Sequence, residues 1–112
     1  LLRLCGHAHA MELLTTCRDI PAGEALEIGL TNTVVPEGAG LAEGIRLARE
    51  VARAAPLSVR AIKKLMIEAA EKPLAEAANI EASLFAGLWD SADHDEAVKA
   101  FFEKRAPKFR GR

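Results

Sequence analysis

Aromatic side chains are scarce in this sequence of 112 residues: four phenylalanines and one tryptophan make up 4% of a chain that is 50% apolar. Strand-rich sheets draw on aromatic and β-branched residues, so the shortage, with alanine spread throughout, argues for closely packed helices instead. Cysteine is rarer still. Cys5 and Cys17 are too few for a secreted disulfide scaffold and wrongly spaced for a redox pair or a zinc site, so reduced, intracellular thiols are expected. No apolar run approaches the ~20 residues of a bilayer-spanning helix, and no signal-peptide pattern is present. A dominant charge is also missing. The formal net charge of −1 gives neither nucleic acid nor an anionic membrane surface an electrostatic handle. The chain opens on Leu1 rather than methionine, in what reads as the middle of an element, so a piece of a longer protein is expected.

The residues present are organised as helices. "HAHAMELLTTC" has good helix formers over Ala8–Leu14 and closes near Thr15. "PAGEALEIGL" offers Pro21 for a first turn, a short helical core over Glu24–Ile28, and Gly29 where a C-terminal cap belongs. "TNTVVPEGAG" reads as an extended segment and turn too brief for an independent sheet. Leu41, Ile45, Ala48 and Ala52 then fall on one helix face, and Pro56 separates that helix from the next, whose stripe is Val59, Ile62, Met66 and Ala69. A longer helix after Pro73 aligns Leu74, Leu84, Phe85, Leu88 and Trp89, a stripe expected to bury most of the aromatic surface. The last helix starts around "SADHDE", with Asp93 as cap and Glu96 completing a capping box, and Pro107 stops it.

Charge is distributed unevenly. Residues 99–112 hold Lys99, Lys104, Arg105, Lys108, Arg110 and Arg112 against Glu103, which is +5, and the rest of the chain is −6. Phe101 and Phe102 stand directly before most of those cations. His7 and His9 form an H-x-H pair, but positions two apart do not converge on a helix face, so no metal site is expected.

The order of these stretches carries a resemblance. "RLCGHAHAMELLTTCRDIPAGEALEIGLTNTVVP", "APLSVRAIKKLM" and "SADHDEAVKAFFEKRAPKFRGR" resemble, in sequence, the C-terminal part of the enoyl-CoA hydratase/isomerase (crotonase) superfamily. The resemblance runs through the whole chain. Cys17 departs from it by standing where the family usually has glycine, and Thr31 and Ala97 replace the usual valine and glycine. It implies a mostly α fold of about six helices, the C-terminal helical region of a crotonase fold without its β/α spiral core. Residues 1–40 would be the end of the core domain, and residues 41–112 the helical domain that supports trimerisation and covers coenzyme A.

In function the resemblance implies a segment of an enzyme that stabilises the enolate of an acyl-CoA thioester by oxyanion-hole electrostatics. The family's oxyanion donors and acid/base carboxylates match positions upstream of Leu1. No catalytic residue is therefore expected in this segment, and Glu12 and Glu24 read as helix-surface carboxylates. Phe101 and Lys104 match the positions where an aromatic lies against the adenine and a lysine approaches the phosphates of coenzyme A. By its residues alone Phe101 reads first as a core side chain at helical spacing, and the resemblance brings the ligand role level with that reading. Phe102 is expected to anchor the helix to the core. Arg105, Lys108 and Arg110 are expected to be solvated or paired with acids of another subunit. For Phe85 and Trp89 core packing or a subunit contact is the first expectation and lining of the acyl pocket the second.

The implied partners are an acyl-CoA substrate and further copies of the chain, as a trimer or dimer of trimers, with no cofactor, nucleic acid or membrane, in the cytoplasm. A non-catalytic helical interaction module, or a degenerate homologue, is the alternative.

Overall fold

The computed structural model describes residues 1–112 and contains six helices and no strand. They are α1 (Leu2–Thr16), α2 (Ala22–Glu27), α3 (Gly40–Val51), α4 (Pro56–Glu68), α5 (Leu74–Trp89) and α6 (Ala92–Phe102). The chain divides into two compact units, Leu1–Gly44 and Ile45–Arg112, and α3 runs across the division.

In the first unit the helix expected over Ala8–Leu14 is longer, and it is broken at Gly6, whose φ of 77° and ψ of 175° are open only to glycine. Cys5, Ala10 and Leu13 are its buried residues. At the other end Thr15 and Thr16 turn their hydroxyls back to the Met11 and Glu12 carbonyls, at 2.8 Å each. Such bonds compete with helix continuation. Cys17 then turns left-handed at φ 51°, donating its N–H to the Leu13 carbonyl at 3.1 Å. A cysteine in that conformation costs about 1–2 kcal/mol relative to glycine, so the turn survives the departure from the family's glycine as strain.

Pro21 is the N-cap of α2 rather than its first-turn residue. Gly29 closes α2 as the sequence suggests: at φ 74° it donates to the Leu26 carbonyl at 3.2 Å, and Leu30 donates to the Ala25 carbonyl at 2.8 Å. That pair of bonds is a Schellman turn. Arg18 ties α1 to α2. Its Nε donates to Glu12 at 3.0 Å and its two terminal nitrogens grip the Glu24 carboxylate. The Arg18 hydrogen bonds hold the Glu24 carboxyl below the usual carboxylate range. Glu12 and Glu24 are thus partners of one arginine, not a free acid/base pair.

In the second unit α4 begins on Pro56, where a missing N–H costs nothing, and packs against α5. The expected amphipathic stripes form but are largely uncovered. Ile62, Met66 and Ile67 on α4 are exposed, Leu74 on α5 is 87% exposed, and Phe85 and Trp89 remain more than half exposed. The aromatic surface expected to be buried by the α5 stripe is therefore mostly open. These apolar faces do not find cover within residues 1–112.

Candidate functional site: a strapped helix end

The candidate coenzyme A residues, Phe101 and Lys104, are at the end of α6 and just after it, and Phe85 and Trp89 are on α5, all within the second unit. At the start of α6 the cap is Ser91, not Asp93. The Ser91 Oγ accepts the His94 N–H at 3.1 Å and donates to the Leu88 carbonyl at 2.6 Å. Asp93 does something non-local. Only 3% exposed, it accepts the Arg110 N–H on Oδ1 at 2.6 Å and the Gly111 N–H on Oδ2 at 2.8 Å. Its own N–H donates to the Arg112 carbonyl at 3.1 Å. Gly111, at φ 74°, lies beside α4: a Cβ there would meet the Pro56 Cβ at 3.4 Å.

Glu96 is likewise committed to the tail rather than to a capping box. Its two oxygens accept Arg105 Nη1 at 2.6 Å and Nη2 at 3.0 Å, and Oε1 also accepts the Lys108 N–H at 2.7 Å. Arg105 Nε reaches Glu103 at 2.5 Å. Arg105, expected to be solvated or to pair across a subunit boundary, is thus paired inside its own chain. These bonds, the Arg105 fork first and the Lys108 amide second, hold the Glu96 carboxyl down at about 2, and the same contacts raise Arg105. Residues 105–112 therefore form a strap along α6, fixed at Glu96 and at Asp93.

Beyond those anchors the C-terminal end of α6 presents the two residues singled out by sequence. Lys104 lies past the helix end, not on its face as the spacing of three suggests. At φ 54° it donates its N–H to the Phe101 carbonyl at 3.2 Å, and Arg105 donates to the Ala100 carbonyl at 3.1 Å. This is again a Schellman turn, with lysine at the left-handed position. Phe101 is 79% exposed, so the core reading of this residue fails within the chain, and Phe102, expected as an anchor, is 77% exposed. The two rings meet edge-on, 5.7 Å apart at 78°. Ala100, at 2% exposure, is what anchors this end of α6.

Phe85 and Trp89 lie elsewhere on the unit. Their rings are 5.5 Å apart, and Trp89 stacks on His94 at 4.4 Å, so His94 is a half-buried neighbour of tryptophan rather than a plain surface residue. With Ser58, Leu88, Ala97 and Phe109 they line a largely apolar cavity of 230 Å³, to which neither Phe101 nor Lys104 contributes. No three His, Cys, Asp or Glu side chains converge as metal ligands would. The end of α6 offers an exposed aromatic ring and, past the helix end, a lysine, groups of the kind that suit a planar, anionic ligand.

Reading the sequence missed the roles of Asp93, Glu96 and Arg105. Their partners stand 9 to 18 positions away in the chain, and the pattern Ser-x-Asp-x-x-Glu imitates a local cap.

The comparisons with known proteins agree with the helical architecture. A family profile described as enoyl-CoA hydratase/isomerase matches residues 1–112. The chain is 42% identical over 112 residues to (E)-benzylidenesuccinyl-CoA hydratase of Thauera aromatica, covering 99% of this chain and 43% of that protein. It is 32% identical to 2,3-dehydroadipyl-CoA hydratase of Escherichia coli, over 100% of this chain and 44% of that one. The crystal structure of enoyl-CoA hydratase from Bacillus anthracis superposes with a TM-score of 0.95 at 33% identity, over 99% of this chain and 43% of that one. The chain spans less than half the length of these relatives, and what it matches in them is the C-terminal helical region of the crotonase fold. Six helices in this order, matched from end to end, place the chain in the enoyl-CoA hydratase/isomerase family.

Proposed function

We propose that this chain is the coenzyme A-binding and self-associating C-terminal part of an enzyme that acts on acyl-CoA thioesters by enolate stabilisation. Phe101 would lie against the adenine and Lys104 would approach the phosphates. The observation that carries this reading is the exposure of Phe101, 79%, three residues before a lysine held in a left-handed turn. An aromatic this open gains nothing from burial in its own chain. The two relatives named above, both hydratases of CoA thioesters, support the substrate class. The exposed faces of α4 and α5 would be covered by the rest of the enzyme and by neighbouring copies, as in a trimer. Phe85 and Trp89 could reach the acyl chain through the apolar cavity they line.

Catalytic groups are not assigned to this segment. Glu12, Glu24, Asp93 and Glu96 are each taken up by an arginine or by tail amides, so none is free to act as base. The segment alone is expected to be inactive.

The test is steady-state kinetics of the natural protein that carries these residues, with crotonyl-CoA as substrate. Phe101→Ala should raise KM about tenfold, from the loss of a stacked base, and Lys104→Ala about threefold, each by more than it lowers kcat. An unchanged KM in both variants would overturn the reading.

A further inference from the structure

The strap touches α6 at two places, and Lys104 is caught between the second of them and the helix. Its N–H is tied back to Phe101, and the residue after it, Arg105, is tied back twice: by its N–H to Ala100 and by its guanidinium fork to Glu96. A lysine has little reason to stay left-handed by itself, since the conformation crowds Cβ against the following carbonyl. Strain of this kind persists where surrounding bonds over-determine it, and it tends to collect at functional positions. A glycine would make the same turn without strain, as Gly29 does.

We propose that Glu96 and Arg105 are positioning residues for coenzyme A: their two-pronged ion pair locks the left-handed turn that aims the Lys104 side chain at the ligand's phosphates. The inference rests on the reading that Lys104 meets coenzyme A, and adds what makes that contact possible. A planar guanidinium gripping both oxygens of a carboxylate fixes orientation as well as distance, which a lysine in its place would not do. The Lys108 amide on the same Glu96 oxygen, 2.7 Å away, closes the loop from the other side. Residues 105–108 thus have one path back to α6, and the backbone at 104 takes the direction that path allows. With φ set, so is the Cα–Cβ bond from which the ammonium is carried. Asp93, holding the Arg110 and Gly111 amides, pins the far end of the strap and keeps the tail from drawing Arg105 away.

The test is a double-mutant cycle on the natural protein carrying this chain, read as Kd for coenzyme A by calorimetry. Glu96→Gln keeps the side-chain shape and removes the charge. Arg105→Lys keeps the charge and removes the fork, as a second route to the same lesion should the first variant fold poorly. Each should weaken coenzyme A about threefold, the loss of one exposed ammonium–phosphate contact. Combined with Lys104→Ala, neither should weaken it beyond the about threefold effect of Lys104→Ala alone. A role confined to stability would not produce that non-additivity. Wild-type affinity in Glu96→Gln or Arg105→Lys overturns the positioning role, and so do losses that multiply in the double variants. Wild-type affinity in Lys104→Ala instead overturns the underlying reading of Lys104, so the two failures are told apart.

Discussion

Helices α2 and α6 end in the same hydrogen-bonded turn, with glycine at the left-handed position of one and lysine at that of the other. At Gly29 the conformation is intrinsic to the residue, and the turn needs nothing beyond its own two bonds. At Lys104 the conformation is disfavoured by the residue and is maintained by a strap whose anchors, Glu96 and Asp93, sit about two and three turns back along α6. Identical local geometry is thus reached by local propensity in the first unit and by tertiary constraint in the second. The second solution is costlier and puts a charge where glycine would leave none.

The widest break in this comparison should come from Asp93→Ala. It strands the Arg110 and Gly111 amides and frees the tail, and its cost should be on the order of 3 kcal/mol, read from urea unfolding. Faster hydrogen exchange at the Lys104 and Arg105 amides, with Gly29 and Leu30 unaffected, would show that only one of the two turns depends on the strap. Next comes Gly29→Lys, which forces onto α2 what α6 tolerates. A Cβ at Gly29 would lie 3.5 Å from the Leu4 carbonyl oxygen, an ordinary contact, so the expected loss of about 1–2 kcal/mol is torsional.

Lys104→Gly is the converse. It should stabilise the protein by up to ~1 kcal/mol while weakening coenzyme A, so that stability and affinity move in opposite directions. A variant that loses both would mean that the lysine serves the fold. The smallest effect is that of acid. Glu96 titrates at about 2 instead of its ordinary 4.5 because the Arg105 fork and the Lys108 amide favour its ionised form. A depressed carboxyl stabilises the fold above its unfolded value and ceases to as pH falls through its folded one. Protection of the Lys104 and Arg105 amides, measured relative to their intrinsic exchange rates, should therefore fall between pH 4.5 and about 2, with no matching step at Gly29, whose turn contains no ionisable partner.

Much of the helical order is legible from the chain because its signals are local. Pro56 opens α4, Gly29 closes α2, and the α3 to α5 stripes appear where the periodicity puts them. The break at Gly6 escapes notice because its neighbours are good helix formers, and one glycine in such a run seldom decides the backbone. Periodicity also identifies which side of a helix is apolar without saying what covers it. Leu74, Phe85 and Trp89 share a stripe and remain exposed, and Phe102 likewise finds nothing to anchor on within residues 1–112. In the candidate site, Phe101 and Lys104 were legible only through family resemblance. Asp93 and Glu96 read as a capping pattern, since such patterns are counted over three residues and the tail that claims these carboxylates returns from 9 to 18 residues downstream.

Trp89 is the only tryptophan in the chain, and there is no tyrosine. Its indole is stacked on the His94 imidazole at 4.4 Å, across the join between α5 and α6 and beside the cap that starts α6. These residues therefore contain a single intrinsic fluorophore, placed at the base of the helix that carries Phe101 and the strap. Its emission offers an optical record of whether α6 stays seated when its far end is cut loose, without any label being added.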